Sequence, residues 1–222
     1  MRSRITLALL TAALAAAPAL AQQPHFGIGL NLAIPTGSFS STTYPPNDVV
    51  FVPQTEGYDP GLGLQFTVSL PLDPHVALRL GLSGQSVSGT NTAQGYETIH
   101  LRHQLFSLSG EVQIFPGRGS AYQHKGTYLV GGLSADFERF ERSYNDNFDT
   151  YDEYGNYIGD NVDTERKSRM GLLMGVGHSF GYGGGGRFTM ELAYHKTLTG
   201  HDSAKFEPVP ADFLRLGFGW VF

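Results

Sequence analysis

Large apolar residues fall on every second position near the C-terminus. Leu214, Leu216, Phe218, Trp220 and Phe222 alternate with Arg215, Gly217, Gly219 and Val221. A period of two held over this span predicts a strand with one apolar face. Seven earlier segments carry the same pattern. Phe26, Ile28, Leu30, Leu32 and Ile34 alternate with Gly27, Gly29, Asn31 and Ala33. The run Leu62 to Leu70 alternates with Gly63, Gln65, Thr67 and Ser69, and Val76 to Leu82 with Ala77, Arg79 and Gly81. Phe106, Leu108, Val112 and Ile114 stand against Ser107, Ser109, Glu111 and Gln113. The fifth segment, around Leu129 to Phe137, is less regular; Leu129, Leu133 and Phe137 are read as one face, Ser134 and Asp136 as the other. Met170, Leu172, Met174, Val176 and Phe180 oppose Arg169, Gly171, Gly175, Gly177 and Ser179, with Leu173 interrupting. Phe188, Met190, Leu192 and Tyr194 oppose Thr189, Glu191, Ala193 and His195.

The second face decides which way the strands point. A soluble sandwich turns its apolar face inward and covers the other with Lys, Glu and Thr. Here the second face is mostly Gly, Ser, Asn and Gln with isolated charges, and Gly reaches 29 residues. Small polar side chains fit the tight lumen of a narrow barrel whose apolar face meets lipid. The connections also alternate in length. Residues 38–60 and 143–167 read as long loops, 88–97 and 200–211 as medium ones. Pro71 to His75 and Gly181 to Gly186 read as tight turns. Long loops at one end and short turns at the other are the outer-membrane pattern. The connection 116–126 departs from it, being too long for its end. Phe26, Phe115, Phe180, Phe188, Trp220 and Phe222 are expected to form an aromatic girdle at the short-turn end.

These features resemble the small eight-stranded outer-membrane barrels of the OmpA/OmpX-like group. The resemblance covers essentially all of residues 22–222 and implies an all-β fold: an eight-stranded antiparallel up-and-down transmembrane barrel with a filled polar lumen. It also implies that Leu214, Leu216, Phe218, Trp220 and Phe222 are the signal read by the barrel assembly machinery, since the terminal strand of such barrels ends on an aromatic residue. Outer-membrane lipid and lipopolysaccharide are the implied surroundings, and a monomer the implied state.

The N-terminus agrees with export. Arg2 and Arg4 precede an apolar run from Ile5 to Ala17, and Ala19-Leu20-Ala21 is a small-x-small cleavage site. Residues 1–21 are therefore expected to be a signal peptide, too short in its apolar part to span a bilayer. Cleavage leaves 201 of 222 residues and takes the formal charge from −5 to −7. That charge gives no footprint for nucleic acid. With no Cys there are no disulfides, thiol nucleophiles or Cys-based zinc sites.

Candidate chemistry is sparse. The inward set holds Arg79, Arg169 and Arg215 against Glu111, Asp136 and Glu191. Three charges of each sign predict a salt-bridge network that fills the lumen, because isolated charges there are very costly. The competing reading is a gate of low conductance. The segment 143–167 carries Asp146, Asp149, Asp152, Glu153, Asp160, Asp163 and Glu165. Its register fails the EF-hand: Thr150 stands where Gly is required. A solvated acidic loop with no metal or cofactor is expected, with weak divalent bridging to lipopolysaccharide as the alternative. Tyr144, Tyr151, Tyr154 and Tyr157, with Gly155-Asn156, suggest a hairpin that extends the fifth and sixth strands above the membrane and contacts an extracellular ligand.

Lipid A modification is the enzymatic alternative. His178-Ser179 are adjacent and so point to opposite faces. His100 and His103 are separated by an odd spacing. His201-Asp202-Ser203 keeps the residue types of a nucleophile system without its geometry. A palmitoylating mechanism needs a greasy lumen, and this one reads as polar. The sequence thus favours a non-enzymatic surface protein of the outer membrane, structural or adhesive through 38–60 and 143–167. A low-conductance channel is the alternative, and a lipid A enzyme follows.

Overall fold

The computed structural model describes residues 23–44, 54–93, 96–144, 162–181, 186–199 and 211–222. The expected signal peptide 1–21, the tyrosines Tyr151, Tyr154 and Tyr157, and His201-Asp202-Ser203 lie outside the described residues.

Among the described residues ten strands follow one another: β1 (His25–Pro35), β2 (Thr42–Tyr44), β3 (Gln54–Tyr58), β4 (Gly61–Pro71), β5 (Val76–Ala93), β6 (Tyr96–Ile114), β7 (Gly126–Tyr144), β8 (Val162–Gly181), β9 (Arg187–Thr197) and β10 (Phe213–Val221). Eight of them close a barrel. Each of β4 through β9 pairs antiparallel with the next, and β1 pairs with both β4 and β10. Closure leaves no open edge at membrane depth, so every ladder amide is satisfied where water is absent. The remaining two strands are an outgrowth: β3 pairs with the far half of β5, and β2 with β3.

The alternation places the apolar set outside. Phe26, Leu30, Leu64, Leu80, Leu108, Leu133, Met174 and Leu192 are all exposed. In water such a surface would drive aggregation; in a bilayer it is the belt that holds the barrel. The less regular fifth segment follows the same rule, with Leu129, Leu133 and Phe137 outside and Ser134 and Asp136 buried. Leu173, which interrupts the pattern of β8, points inward and is buried.

Three expectations change. Residues 88–97 are not a loop: β5 runs to Ala93 and β6 starts at Tyr96. The loop read as 38–60 contains β2, β3 and a 3-10 turn at Gly37–Phe39. Of 143–167, Ser143 and Tyr144 end β7, and Val162 to Lys167 begin β8, with Ser143 opposite Val162. The physical reason is shared. Polar residues form strands readily once a neighbouring strand continues the ladder, and hydropathy does not report them.

Phe115 is the fourth correction. It is fully buried and takes no part in a girdle, whereas Phe26, Phe180, Trp220 and Phe222 are exposed there. It belongs to the connection that broke the length pattern. Residues 116–125 fold back into the barrel mouth. The Ala121 amide donates to the Pro74 carbonyl at 2.8 Å, and the Phe115 amide to the His75 carbonyl at 2.7 Å. A His25 ring nitrogen lies 3.0 Å from the Tyr122 carbonyl. Gly117 and Gly126 take positive φ, and so does His124 at 44°, a conformation uncommon outside glycine.

Candidate functional site

The inward positions of β7, taken from the short-turn end upward, are Tyr128, Val130, Gly132, Ser134, Asp136, Glu138 and Phe140, and each marks a layer of the lumen.

At the bottom, Phe115, Ala121 and Tyr128 form a buried cluster with the His124 ring, which lies 5.5 Å from Phe115 and 5.6 Å from Tyr128. His124 Nδ1 is 3.3 Å from Ser179 Oγ on β8. Its other nitrogen is 3.5 Å from Gln113 Nε2 on β6. One ring from the connection thus reaches two walls of the barrel. Burial, with Arg79 nearby, pushes the His124 imidazole down to about 3. It is neutral at physiological pH.

The next layer is a charge cluster. Arg79 Nε donates to Glu111 Oε2 at 2.7 Å, and Nη2 forms a second, shorter bond to the same oxygen. Arg79 Nη1 and Nη2 donate to the two oxygens of Glu191 at 2.5 and 2.8 Å. Tyr128 Oη donates to Glu191 at 3.0 Å, and Ser109 Oγ to Glu111 at 2.5 Å. Such fork-on-carboxylate bonds are the strong ones. Room for the Tyr128 ring comes from Gly177, where a Cβ would collide with it.

Of the six charges the sequence groups together, the structure joins three: Arg79, Glu111 and Glu191. Arg215 instead donates to Gln65 Oε1 at 3.2 Å. Asp136 accepts from Ser107 Oγ at 2.7 Å and lies 2.9 Å from His195 Nε2. Arg169 Nε lies 3.1 Å from Glu138, a carboxylate that the sequence reading left out. Partner choice across a barrel follows the strand stagger, which alternation does not encode.

Ser134, His195 and Asp136 place the residue types of a nucleophile relay together. Ser134 Oγ and Asp136 Oδ2 both approach the same nitrogen, His195 Nε2, at 3.2 and 2.9 Å. A relay needs the serine on one ring nitrogen and the carboxylate on the other. His195 and Asp136 are also fully buried. The arrangement is a packed hydrogen-bond cluster. The remaining pairs separate as their spacing requires: His100 is exposed and His103 buried, while Ser179 is buried beside the partly exposed His178.

The upper lumen departs from the polar reading. Phe39, Tyr58, Val87, Leu101, Leu105, Phe140 and Phe213 form a buried apolar cluster. Phe39, delivered by the 3-10 turn, stacks on Tyr58 at 4.3 Å and meets Phe213 edge-on at 5.0 Å. His103 lies against the Phe140 ring at 4.3 Å. Above it, Arg142 Nη2 bonds Glu56 on β3 at 2.7 Å. Greasy as it is, this layer is filled by its own rings. A residual cavity beside Arg79 and Asn31 is about 40 Å³. That is room for a water or two, not for an acyl chain.

The family described as outer membrane protein beta-barrel domain matches residues 5–222. No curated protein matches the sequence. Solved structures resemble it at low identity. A major outer membrane protein from Thermus thermophilus is 13% identical, with 90% of this chain and 100% of that chain covered and a TM-score of 0.50. Ail of Yersinia pestis, solved with the heparin analogue sucrose octasulfate, is 11% identical over 90% and 97% of the two chains, TM-score 0.47. Neisserial surface protein A is 11% identical over 88% and 95%, TM-score 0.46. With a family match over nearly its whole length, and a closed barrel that turns its apolar face outward, the chain belongs to the outer-membrane β-barrel family.

Proposed function

We propose that this protein is a non-enzymatic barrel of the outer membrane that works at the cell surface, by adhesion through the wall it raises on its long-loop side. The observation that carries this is a difference in strand length. A tilted strand spans a bilayer in about 9–11 residues. β1, β4, β9 and β10 have 11, 11, 11 and 9. β5, β6, β7 and β8 have 18, 19, 19 and 20. The surplus, at about 3.3 Å per residue, is roughly 25–30 Å of strand. All of it lies at the long-loop end, and β3 and β2 widen it.

The wall ends in a backbone edge that suits strand addition by a partner. Among the described residues β2 has one strand neighbour, β3. Tyr144 ends β7, and the sequence follows it with Tyr151, Tyr154 and Tyr157, a residue type that recognition surfaces favour. The channel reading finds less support, since the lumen is plugged by His124 and Phe115 below and by Phe39 above. Export through a signal peptide at 1–21 and insertion by the assembly machinery through the Leu214 to Phe222 strand complete the proposal.

The test replaces 145–161 with a short Gly-Ser turn in cells displaying the full chain. Cell-to-cell and cell-to-surface adherence should fall to the level of cells lacking the protein, while heat-shifted migration in gels still reports a folded barrel. Unchanged adherence with a folded barrel would overturn the reading.

A further inference from the structure

The outer wall carries an arrangement that the fold alone does not account for. Arg139 on β7 stands directly opposite Arg166 on β8, both pointing out of the barrel and exposed. Directly opposed like charges destabilise a sheet. Arg102 on β6 joins them: it lies opposite Glu141, one outward position beyond Arg139, and so diagonal to Arg139. Three guanidinium-bearing positions thus occupy neighbouring sites on three adjacent strands. Glu141 pairs with Arg139. Arg102 and Arg166 have no ion-pair or hydrogen-bond partner among the described residues.

Their height matters as much as their charge. On each strand the arginine stands one or two outward positions beyond the last exposed apolar residue of the belt: Phe106 below Arg102, Phe137 below Arg139 and Met170 below Arg166. That is the headgroup level of the leaflet on the long-loop side, the outer leaflet in this family. Arginine presents several N–H donors in a planar fork that fits phosphate oxygens, and gives up hydration more readily than lysine. On the same face a recess of about 580 Å³ is lined by Ser86, Ser88, His100 and Ser143 beside Arg102 and Glu141, hydroxyls and one carboxylate that suit the hydroxyl groups of a sugar.

We propose that Arg102, Arg139 and Arg166 form an outward-facing site for the phosphate groups of a phosphorylated glycolipid in the outer leaflet, whose sugar occupies the adjoining recess. An anion bridging Arg139 and Arg166 converts a repulsive cross-strand pair into an attractive one. The inference rests on the membrane placement of the barrel and is independent of the adhesion reading.

The test uses the full-length barrel in neutral detergent micelles and two probes, bisphosphorylated lipid A and the same lipid A with its phosphates removed. Binding should favour the phosphorylated probe by about 10-fold or more, the worth of one or two charge-assisted bonds. The preference should collapse in the Arg139→Gln/Arg166→Gln variant and survive in Arg118→Gln, which alters an exposed arginine at the opposite end. In lipid-free detergent Arg166→Gln should unfold no earlier than the parent, because the like-charge contact is relieved. Equal binding of the two probes would overturn the site. Displacement of lipid A by an equal concentration of inorganic phosphate would overturn the assignment to a lipid. A lower unfolding midpoint of lipid-free Arg166→Gln would make the arginines structural instead.

Discussion

Arg79 is the residue whose loss the lumen should feel most. Its side chain is 6% exposed and makes four hydrogen bonds to Glu111 and Glu191, side chains 3% and 13% exposed. Arg79→Met keeps an unbranched stem and removes the guanidinium, leaving two carboxylates facing each other. Removing one partner from a buried pair costs about 3–5 kcal/mol. A second estimate bounds it: keeping an ordinary glutamate neutral at pH 7 costs ~3.7 kcal/mol at 1.36 kcal/mol per pH unit, so protonating both caps the loss near ~7 kcal/mol. Protonating one carboxylate, with the other retaining Tyr128 or Ser109 as donor, gives about 4 kcal/mol, in line with the first figure. The sign with pH follows. At pH 5 the same protonation costs ~1 kcal/mol, so the deficit should shrink by more than half. Glu111→Ala alone should cost less, since Arg79 keeps Glu191. The Arg79→Met/Glu111→Gln/Glu191→Gln triple variant should recover part of the loss, because the facing carboxylates are gone, while buried Arg215 loses the two charges nearest it. Urea unfolding of the refolded barrel, followed by its heat-shifted migration, reads all of these. A single variant as stable as the parent, or a triple variant as poor as the single, would refute the reasoning.

Other consequences are narrower. His124 is held neutral down to about 3 in the folded barrel against about 6.5 when unfolded, so its contribution is present above pH 6.5 and lost as pH falls toward 3; in His124→Gln the unfolding midpoint should lose that part of its pH dependence. Phe39→Ala removes a buried ring that contacts Tyr58, Phe213 and His103, and should cost about 3–5 kcal/mol in the same unfolding assay. Gly177→Val puts methyl groups where a Cβ alone already collides with the Tyr128 ring; it should cost at least ~1–3 kcal/mol, while Gly110→Ala, with nothing near its Cβ, should be close to neutral.

Alternation was sufficient to find eight barrel strands and their lipid-facing sides, because a membrane barrel enforces a period of two on every crossing. The same parity fixes two further residues. With Phe106, Leu108, Val112 and Ile114 outside, Phe115 belongs inside, and Asp136 inside carries Glu138 with it. Other features were not legible. Arg169 stands directly opposite Asp136 yet meets the diagonal Glu138, a choice of side-chain reach within the β7–β8 ladder that alternation does not encode. The inward fold of 116–125 depends on contacts with Pro74, His25 and Ser179, distant in sequence. The aromatic layer beneath Phe39 gathers residues from the 3-10 turn, β3, β5, β6, β7 and β10, whose shared height no local pattern reveals. On the extension of β6 the alternation reverses, with Ile99, Leu101 and Leu105 facing inward and His100 and Arg102 outward, so a reading that looked for an outward apolar face passed over it.

The central claim is that the barrel crosses the outer membrane with its extended wall outside. Protease protection on intact cells expressing the full chain tests it most directly. Cleavage should be confined to the long-loop side, at 45–53 and 145–161, and should leave a resistant core that still shifts on heating. The turn 116–125 should be spared in intact cells and cut, at its exposed Arg118 and Lys125, only once the outer membrane is opened. Resistance of 145–161 in intact cells, with digestion once the outer membrane is opened, would place the wall in the periplasm and contradict the account.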